Sequence, residues 1–136
     1  MTPPIVEELI RRAARRPAIV AYPEPQDARI LQAAARAAAI GIARPVLVGA
    51  PGALPLDAGP AIERRPIQED ANLDRLAVEY ARRRGVAAPT ARRLVRRPLI
   101  HAATMVSLGE ADCMVAGATH TTASVLQAAG LAIGYR

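Results

Sequence analysis

The side chains best suited to chemistry gather in one stretch, Gly117-Ala-Thr-His-Thr-Thr-Ala-Ser124, with Gln127 three residues further on. The hydroxyls of Thr119, Thr121, Thr122 and Ser124 and the imidazole of His120 are hydrogen-bonding groups that suit an oxyanion. A short apolar run, Cys113 to Ala116, precedes them, and Val125, Leu126, Ala129, Ala132 and Ile133 come after at helical spacing. The order is therefore a strand, a tight glycine turn and a helix N-terminus. In an open parallel sheet such a junction lies at the carboxyl end of the strand, where ligands collect. Backbone N–H groups and the positive end of the helix dipole suit phosphate there. His120, Ser124 and Gln127 stand at i, i+4 and i+7, on one helix face. They read either as a polar wall of a cleft or as a solvated helix start capped by Thr121 or Thr119. Gly117 reads as a backbone position, needed for a positive φ or for close approach of a ligand.

The elements that position this stretch can be traced along the chain. Ile5 to Ala14 is an amphipathic helix with Ile5, Leu9 and Ala13 inward, ended by Pro17. Ala18–Tyr22 is an apolar run too short for a helix and reads as a buried strand. Pro23-Glu-Pro-Gln turns the chain, Asp27 caps a helix from Ala28 to about Ile40, and Gly41 stops it. Pro45–Gly49 is a second buried strand, which completes a βαβ unit with an expected right-handed crossover. Ala50–Pro60 reads as a loop and Ala61–Ile67 as a third strand. Leu73, Leu76, Ala77 and Tyr80 mark a helix that runs to Gly85. Pro89-Thr90 opens a short helix through Arg96, and Pro98 opens another to Gly109. Cys113–Ala116 and Thr121–Ile133 complete a single α/β domain over residues 1–136, three-layer α/β/α with a mainly parallel sheet. Glu24, Asp27 and Arg29 come after the first strand, so they belong to the same rim, and read as a cap and a surface pair.

Composition narrows the function further. The 136 residues carry a net charge of +6, and all 18 basic side chains are Arg. Arg-rich, Ala-rich usage is the expected mark of a GC-rich genome, and Arg also suits phosphate through its fixed fork of donors. Most of the arginines, Arg82 to Arg84 among them, fall on helices or in last turns, where cations complement the dipole. A nucleic-acid surface usually adds stacking aromatics, and this chain has three Tyr and neither Trp nor Phe. One cysteine, Cys113, excludes an internal disulfide and a multi-cysteine zinc site, and it reads as an inert thiol in a buried strand. His101, inside a helix, reads as structural or exposed. No spacing of His, Asp and nucleophile suggests a hydrolase triad. No apolar stretch reaches the roughly 20 residues of a membrane span, and the N-terminus lacks a secretory pattern. A cytoplasmic location is the default.

Two blocks resemble the phosphate acetyltransferases (phosphotransacetylases) and the related phosphate butyryltransferases. The first is Ala21-Tyr-Pro-Glu-Pro-Gln-Asp-Ala-Arg with Gly41-Ile-Ala-Arg-Pro-Val-Leu-Val-Gly49. The second is Thr104-Met-Val-Ser-Leu-Gly-Glu-Ala-Asp-Cys-Met-Val-Ala-Gly-Ala-Thr-His-Thr-Thr-Ala. The resemblance implies an isopropylmalate dehydrogenase-like lobe and reversible acyl transfer between coenzyme A and inorganic phosphate, giving acetyl phosphate or a relative. It implies acyl-CoA and phosphate as partners, and no metal and no prosthetic group; a homo-oligomer is expected because the exposed edge and cleft face, without a second lobe, leave apolar surface uncovered. Substrate would meet Gly117, Thr119, His120, Thr121, Thr122, Ser124, Gln127 and Arg82; the catalytic residues are not assigned. The family places Gly at Cys113, Ser at Ala116, Asp at Ser124 and a basic residue at Gln127, and its second cleft arginine matches Ala81 or Arg82. Family members are also longer, so the chain corresponds to their first lobe, with the second lobe absent and activity alone not expected. The alternative is a non-catalytic module that binds acyl-CoA or acyl phosphate, like the similar domain of some malic enzymes. A basic nucleic-acid binder is the third reading, on charge alone.

Overall fold

The computed structural model describes residues 1–69 and 71–134; Asp70, Tyr135 and Arg136 lie outside them. Helix α1 (Pro4–Arg15) leads into strand β1 (Ala18–Tyr22), helix α2 (Ala28–Ala39) and strand β2 (Ala43–Gly49). A 3-10 turn at Pro51–Ala53 precedes strand β3 (Glu63–Pro66). Helices α3 (Ala71–Arg84), α4 (Ala88–Val95) and α5 (Pro98–Leu108) come next, then strand β4 (Cys113–Met114) and helix α6 (Thr122–Ala132). The four strands are parallel in the order β3-β2-β1-β4.

That order results from three crossovers, two over one face of the sheet and one over the other. From β1 the chain steps outward to β2 and β3 over one face of the sheet, the face covered by α2 and the loop after β2. It returns over the other face through α3, α4 and α5 and enters β4 on the far side of β1. The step direction therefore reverses between β1 and β4, which makes the crevice beyond their carboxyl ends the topological switch point.

Alternation along the strands divides the core in two. Val20, Tyr22 and Leu47 face α2, where they pack with Ile30, Ala34, Leu54 and Ile62. Ala21, Val46 and Val48 face the larger layer, with Leu73, Leu76, Tyr80, Val95, Ile100 and Met105. Helix α5 is apolar almost all round and is buried from Leu99 to Met105, as a helix enclosed by its neighbours must be. Its two buried polar side chains turn back to the backbone: Thr104 Oγ1 donates to the Ile100 carbonyl at 2.7 Å, and His101 Nδ1 to that of Val95 at 3.0 Å. His101 is structural.

Three expectations need correction. Helix α1 forms, but Ile5 and Leu9 are 65% and 55% exposed and α1 has no buried residue, so its apolar face is unpacked. Cys113 is exposed: it aligns with Val20 on the α2 face, and β4, at the sheet edge, lies beyond that single helix. Its thiol is pushed up by desolvation and by the charge of Asp112, so it stays protonated at neutral pH. Helix α6 turns Val125, Ala128 and Ala132 inward but leaves Leu126 and Ile133 exposed. No described helix is long and apolar enough to cross a membrane.

The two amphipathic surfaces differ in their energetic weight. Leu76 on α3 is fully buried, so Leu76→Ala should cost about 3 kcal/mol in urea unfolding. Leu9→Ser on α1 should stay within about 0.5 kcal/mol, because it removes no packed contact. A loss at Leu9 comparable with that at Leu76 would show that α1 packs on the domain.

Candidate functional site at the switch point

Strands β1 and β4 end side by side, and the loops that leave them are built to meet each other. After β1, Pro23-Glu24-Pro25 folds back over the strand ends. The fit is close, because a Cβ on Gly49 would come within 2.8 Å of Pro25 Cγ. After β4 the ladder is extended by Val115 N–H donating to the Ala21 carbonyl at 3.0 Å, and the chain then breaks at Gly117, with φ +116°. Nothing lies within 4 Å of where a Gly117 Cβ would sit, so the demand for glycine is conformational. That bend turns successive backbone N–H groups toward one point.

The Glu24 carboxylate occupies that point. Its Oε1 accepts from the N–H groups of Gly117 (2.8 Å) and Ala118 (2.9 Å). Its Oε2 accepts from the N–H and hydroxyl of Thr119 (2.6 and 2.7 Å) and from the N–H of His120 (2.9 Å). His120 Nδ1 lies 2.9 Å from the same oxygen. Glu24 is fully buried. Burial alone would raise its pKa, but the hydrogen bonds from Thr119, Ala118 and His120 outweigh that and hold the carboxyl well below the usual range. Because an ionised carboxylate only accepts, Nδ1 of His120 donates to Glu24, and Nε2 is the ring nitrogen left for another partner. Two more contacts close the seam. Asp27 caps α2 by accepting from the Arg29 N–H at 2.8 Å and pairs with the Arg29 guanidinium at 2.9 Å, and Arg29 donates to the Ala118 carbonyl at 2.9 Å.

Glu24 thus exceeds the cap-and-pair reading of its segment, while Asp27 and Arg29 match it. The anion in the glycine turn is the protein's own. Of the expected site residues, Gly117 and Thr119 are engaged by Glu24. Thr121 caps α6: its Oγ1 accepts from the Ser124 N–H at 3.1 Å and lies 2.9 Å from Ser124 Oγ. Thr122 opens the helix and is exposed. His120, Ser124 and Gln127 line a cleft of about 460 Å³ between α6 and the corner where α4 meets α5. Leu94, Arg97, Leu99, Ile100 and Leu131 form the rest of its principal walls.

Arg82 is not brought to this group. It pairs with Glu79 at 2.7 Å, and the two arginines Arg82 and Arg83 draw the Glu79 carboxyl down to about 2. Its neighbour Arg83 donates to the Ile133 carbonyl, at the far end of α6, about 18 Å along the helix from the cap. The arginine that does line the cleft is Arg97. In the sequence it stands in a basic run, Arg92-Arg93 with Arg96-Arg97, and only the turn between α4 and α5 separates it from its neighbours. No group of three or more His, Cys, Asp or Glu able to hold a metal occurs among the described residues.

The family model for phosphate acetyl/butaryl transferase matches residues 4–136. The chain belongs to that family. It is 33% identical over 131 residues to the phosphate acetyltransferase of Acetivibrio thermocellus, an alignment that covers 91% of this chain and 40% of that protein. It is also 31% identical over 125 residues to the NADP-dependent malic enzyme of Escherichia coli, covering 82% of the chain and 16% of the enzyme. The fold is similar to that of a phosphotransacetylase from Streptococcus pyogenes, with a TM-score of 0.81 at 23% identity over 97% of this chain and 43% of that one. The chain therefore spans about two fifths of the length of these phosphate acetyltransferase relatives.

The Glu24 seam has a pH signature. Its folded pKa lies below the unfolded value near 4.5, so its stabilisation is complete above about pH 5 and is lost as pH falls toward the folded value. Glu24→Gln keeps the shape but points an N–H₂ at N–H donors, and should cost about 3 kcal/mol at pH 7. In urea unfolding the gap between the native chain and Glu24→Gln should narrow from pH 7 to pH 3. A gap that does not change with pH would mean that the carboxylate charge is not what the turn holds.

Proposed function

We propose that this chain provides one wall of a phosphate acyltransferase site, which moves an acyl group between the sulfur of coenzyme A and inorganic phosphate. The observation that carries the reading is the row His120, Ser124 and Gln127 facing Arg97 across a cleft beside the switch point, in a chain of this family. In the direction of thioester synthesis the thiolate sulfur attacks the acyl carbonyl, the bond from the acyl carbon to the phosphate oxygen breaks, and phosphate departs with the electron pair. The thiol proton passes to a base. Ser124 and Gln127 offer hydrogen bonds to the substrate beside the His120 ring, and Arg97 offers charge to a phosphate oxygen. Glu24 fixes the His120 ring from behind. With the turn of Gly117 to His120 filled by Glu24, phosphate is received in the cleft. The base and the oxyanion donors belong to a second lobe, for which the relatives have the length.

A second reading is a regulatory module that binds acyl-CoA without turnover, and the match to a segment of a malic enzyme, a protein named for other chemistry, favours it. Gln127 favours it too, since a neutral amide stands where the resemblance expects a cation. One pair of measurements separates the readings. Titration calorimetry on the 136-residue chain should show coenzyme A binding that weakens with salt and falls about tenfold in His120→Ala, a loss of about 1.4 kcal/mol. A thiol-release assay with acetyl phosphate should show turnover by the natural protein that carries this chain and none by the 136 residues alone. Binding without turnover in the natural protein would establish the regulatory module, and robust turnover by the isolated chain would refute the one-wall reading. We also assign the exposed apolar row of α1 to contact with a second copy of the protein. Light scattering should show concentration-dependent association, and a monomer at every concentration would exclude it.

A further inference from the structure

The cleft walls change character along their length. From His120, just before α6, the lining residues run along the helix through Ser124 and Gln127 to Leu131, from polar at the switch point to apolar below it. Across from them, Leu94 comes from the last turn of α4 and Leu99 and Ile100 from the first turn of α5. Arg97 sits between these, at the residue that precedes α5. None of the lining residues is acidic.

Two of the arginines around this corner are engaged, while Arg93, on α4, does not line the cleft. Arg92 pairs with Glu69 and Asp74, and Arg96 with Glu69. Arg97 is exposed, and no ion pair or side-chain hydrogen bond joins it to another described residue. A guanidinium that lines a cleft without a carboxylate, opposite an imidazole, a hydroxyl and an amide, is a receptor for an oxyanion. The resemblance puts a basic residue on α6 at position 127. Here that position is Gln, and the cation comes from the opposite wall.

Resting on the acyltransferase reading, we propose that Arg97 is the anion-binding residue of this cleft, and that the cleft takes an acyl phosphate with a short alkyl chain. The phosphoryl group lies between Arg97 and the row His120, Ser124 and Gln127. The acyl tail runs toward Leu131 and Leu94, where about 6 Å of helix separates Gln127 from Leu131, room for a propyl or butyryl chain. The site therefore prefers butyryl over acetyl groups.

Alkylphosphonates test both halves, because they keep the dianion and vary only the tail. Methyl-, ethyl- and propylphosphonate are titrated into the 136-residue chain by calorimetry. Each added methylene should tighten binding by about fourfold, the value of burying one CH₂. Arg97→Gln should weaken all three by about tenfold and leave that progression intact, which separates the charge from the tail. Leu131→Ala should flatten the progression while methylphosphonate binds as before; Leu94→Ala serves the same purpose if Leu131→Ala melts early. Affinity independent of tail length, or Arg97→Gln binding as tightly as the native chain, overturns the assignment. If coenzyme A still binds in that event, the acyltransferase reading stands and only the assignment falls. If neither coenzyme A nor any phosphonate binds, both fall together.

Discussion

One buried carboxylate holds the functional end of this domain together. Glu24 leaves the end of β1 and is gripped by four successive backbone N–H groups of the bend after β4. Those strands pair over only two residues of β4, so the ladder alone is a weak joint. The charge-assisted bonds to Glu24 lock the two loops in register, and the Arg29 contact to the Ala118 carbonyl seals the outer side. The position of α6 depends on this seam, because the helix begins immediately after the last residues that Glu24 holds. So does the His120 ring, whose Nδ1 is committed to Glu24 and whose orientation is thereby fixed.

Charge elsewhere in the chain is largely spent locally. Arg11 and Arg12 share Glu8, Arg82 and Arg83 share Glu79, and Arg92 and Arg96 share Glu69. Most of these are exposed pairs within one helix or between adjacent ones, screened by solvent and of little weight in stability. They turn a run of arginines into solvated faces and leave few cations with a direction. Arg97 differs in that it lines the cleft at the switch point and has no ion pair with another described residue.

The fold was legible because each strand and helix announced itself locally. Pro17, Gly41, Gly85 and Gly109 mark the ends of helices, and the short apolar runs between them are the strands. The site was legible in its location: a glycine bend between an apolar run and a helical period leads to the switch point whatever the side chains are. Three things were not. Glu24 reads as one acid in a proline-rich turn, and only the pairing of β1 with β4, across more than ninety residues of chain, brings it to the bend. Arg97 is indistinguishable from Arg96 by type, and the turn between α4 and α5 alone decides which faces the cleft. The inward face of α1 rests on periodicity, but periodicity states that a face is apolar, not that something in the same domain covers it.

The seam also decides what kind of site this can be. A bend that gathers several N–H groups beside a helix N-terminus is ordinarily a place for phosphate. Filling it with a fixed carboxylate removes that option and places a negative charge behind the row of ligand-facing groups. On the proposed reading, an incoming phosphate is held away from the bend by a cation on another element. Among the described lining residues the arginine is Arg97, at the α4–α5 corner. On that reading, a neutral Gln127 and a cation at position 97 are two sides of one electrostatic requirement. With the turn closed by Glu24, the cleft has to bring its positive charge from across the gap.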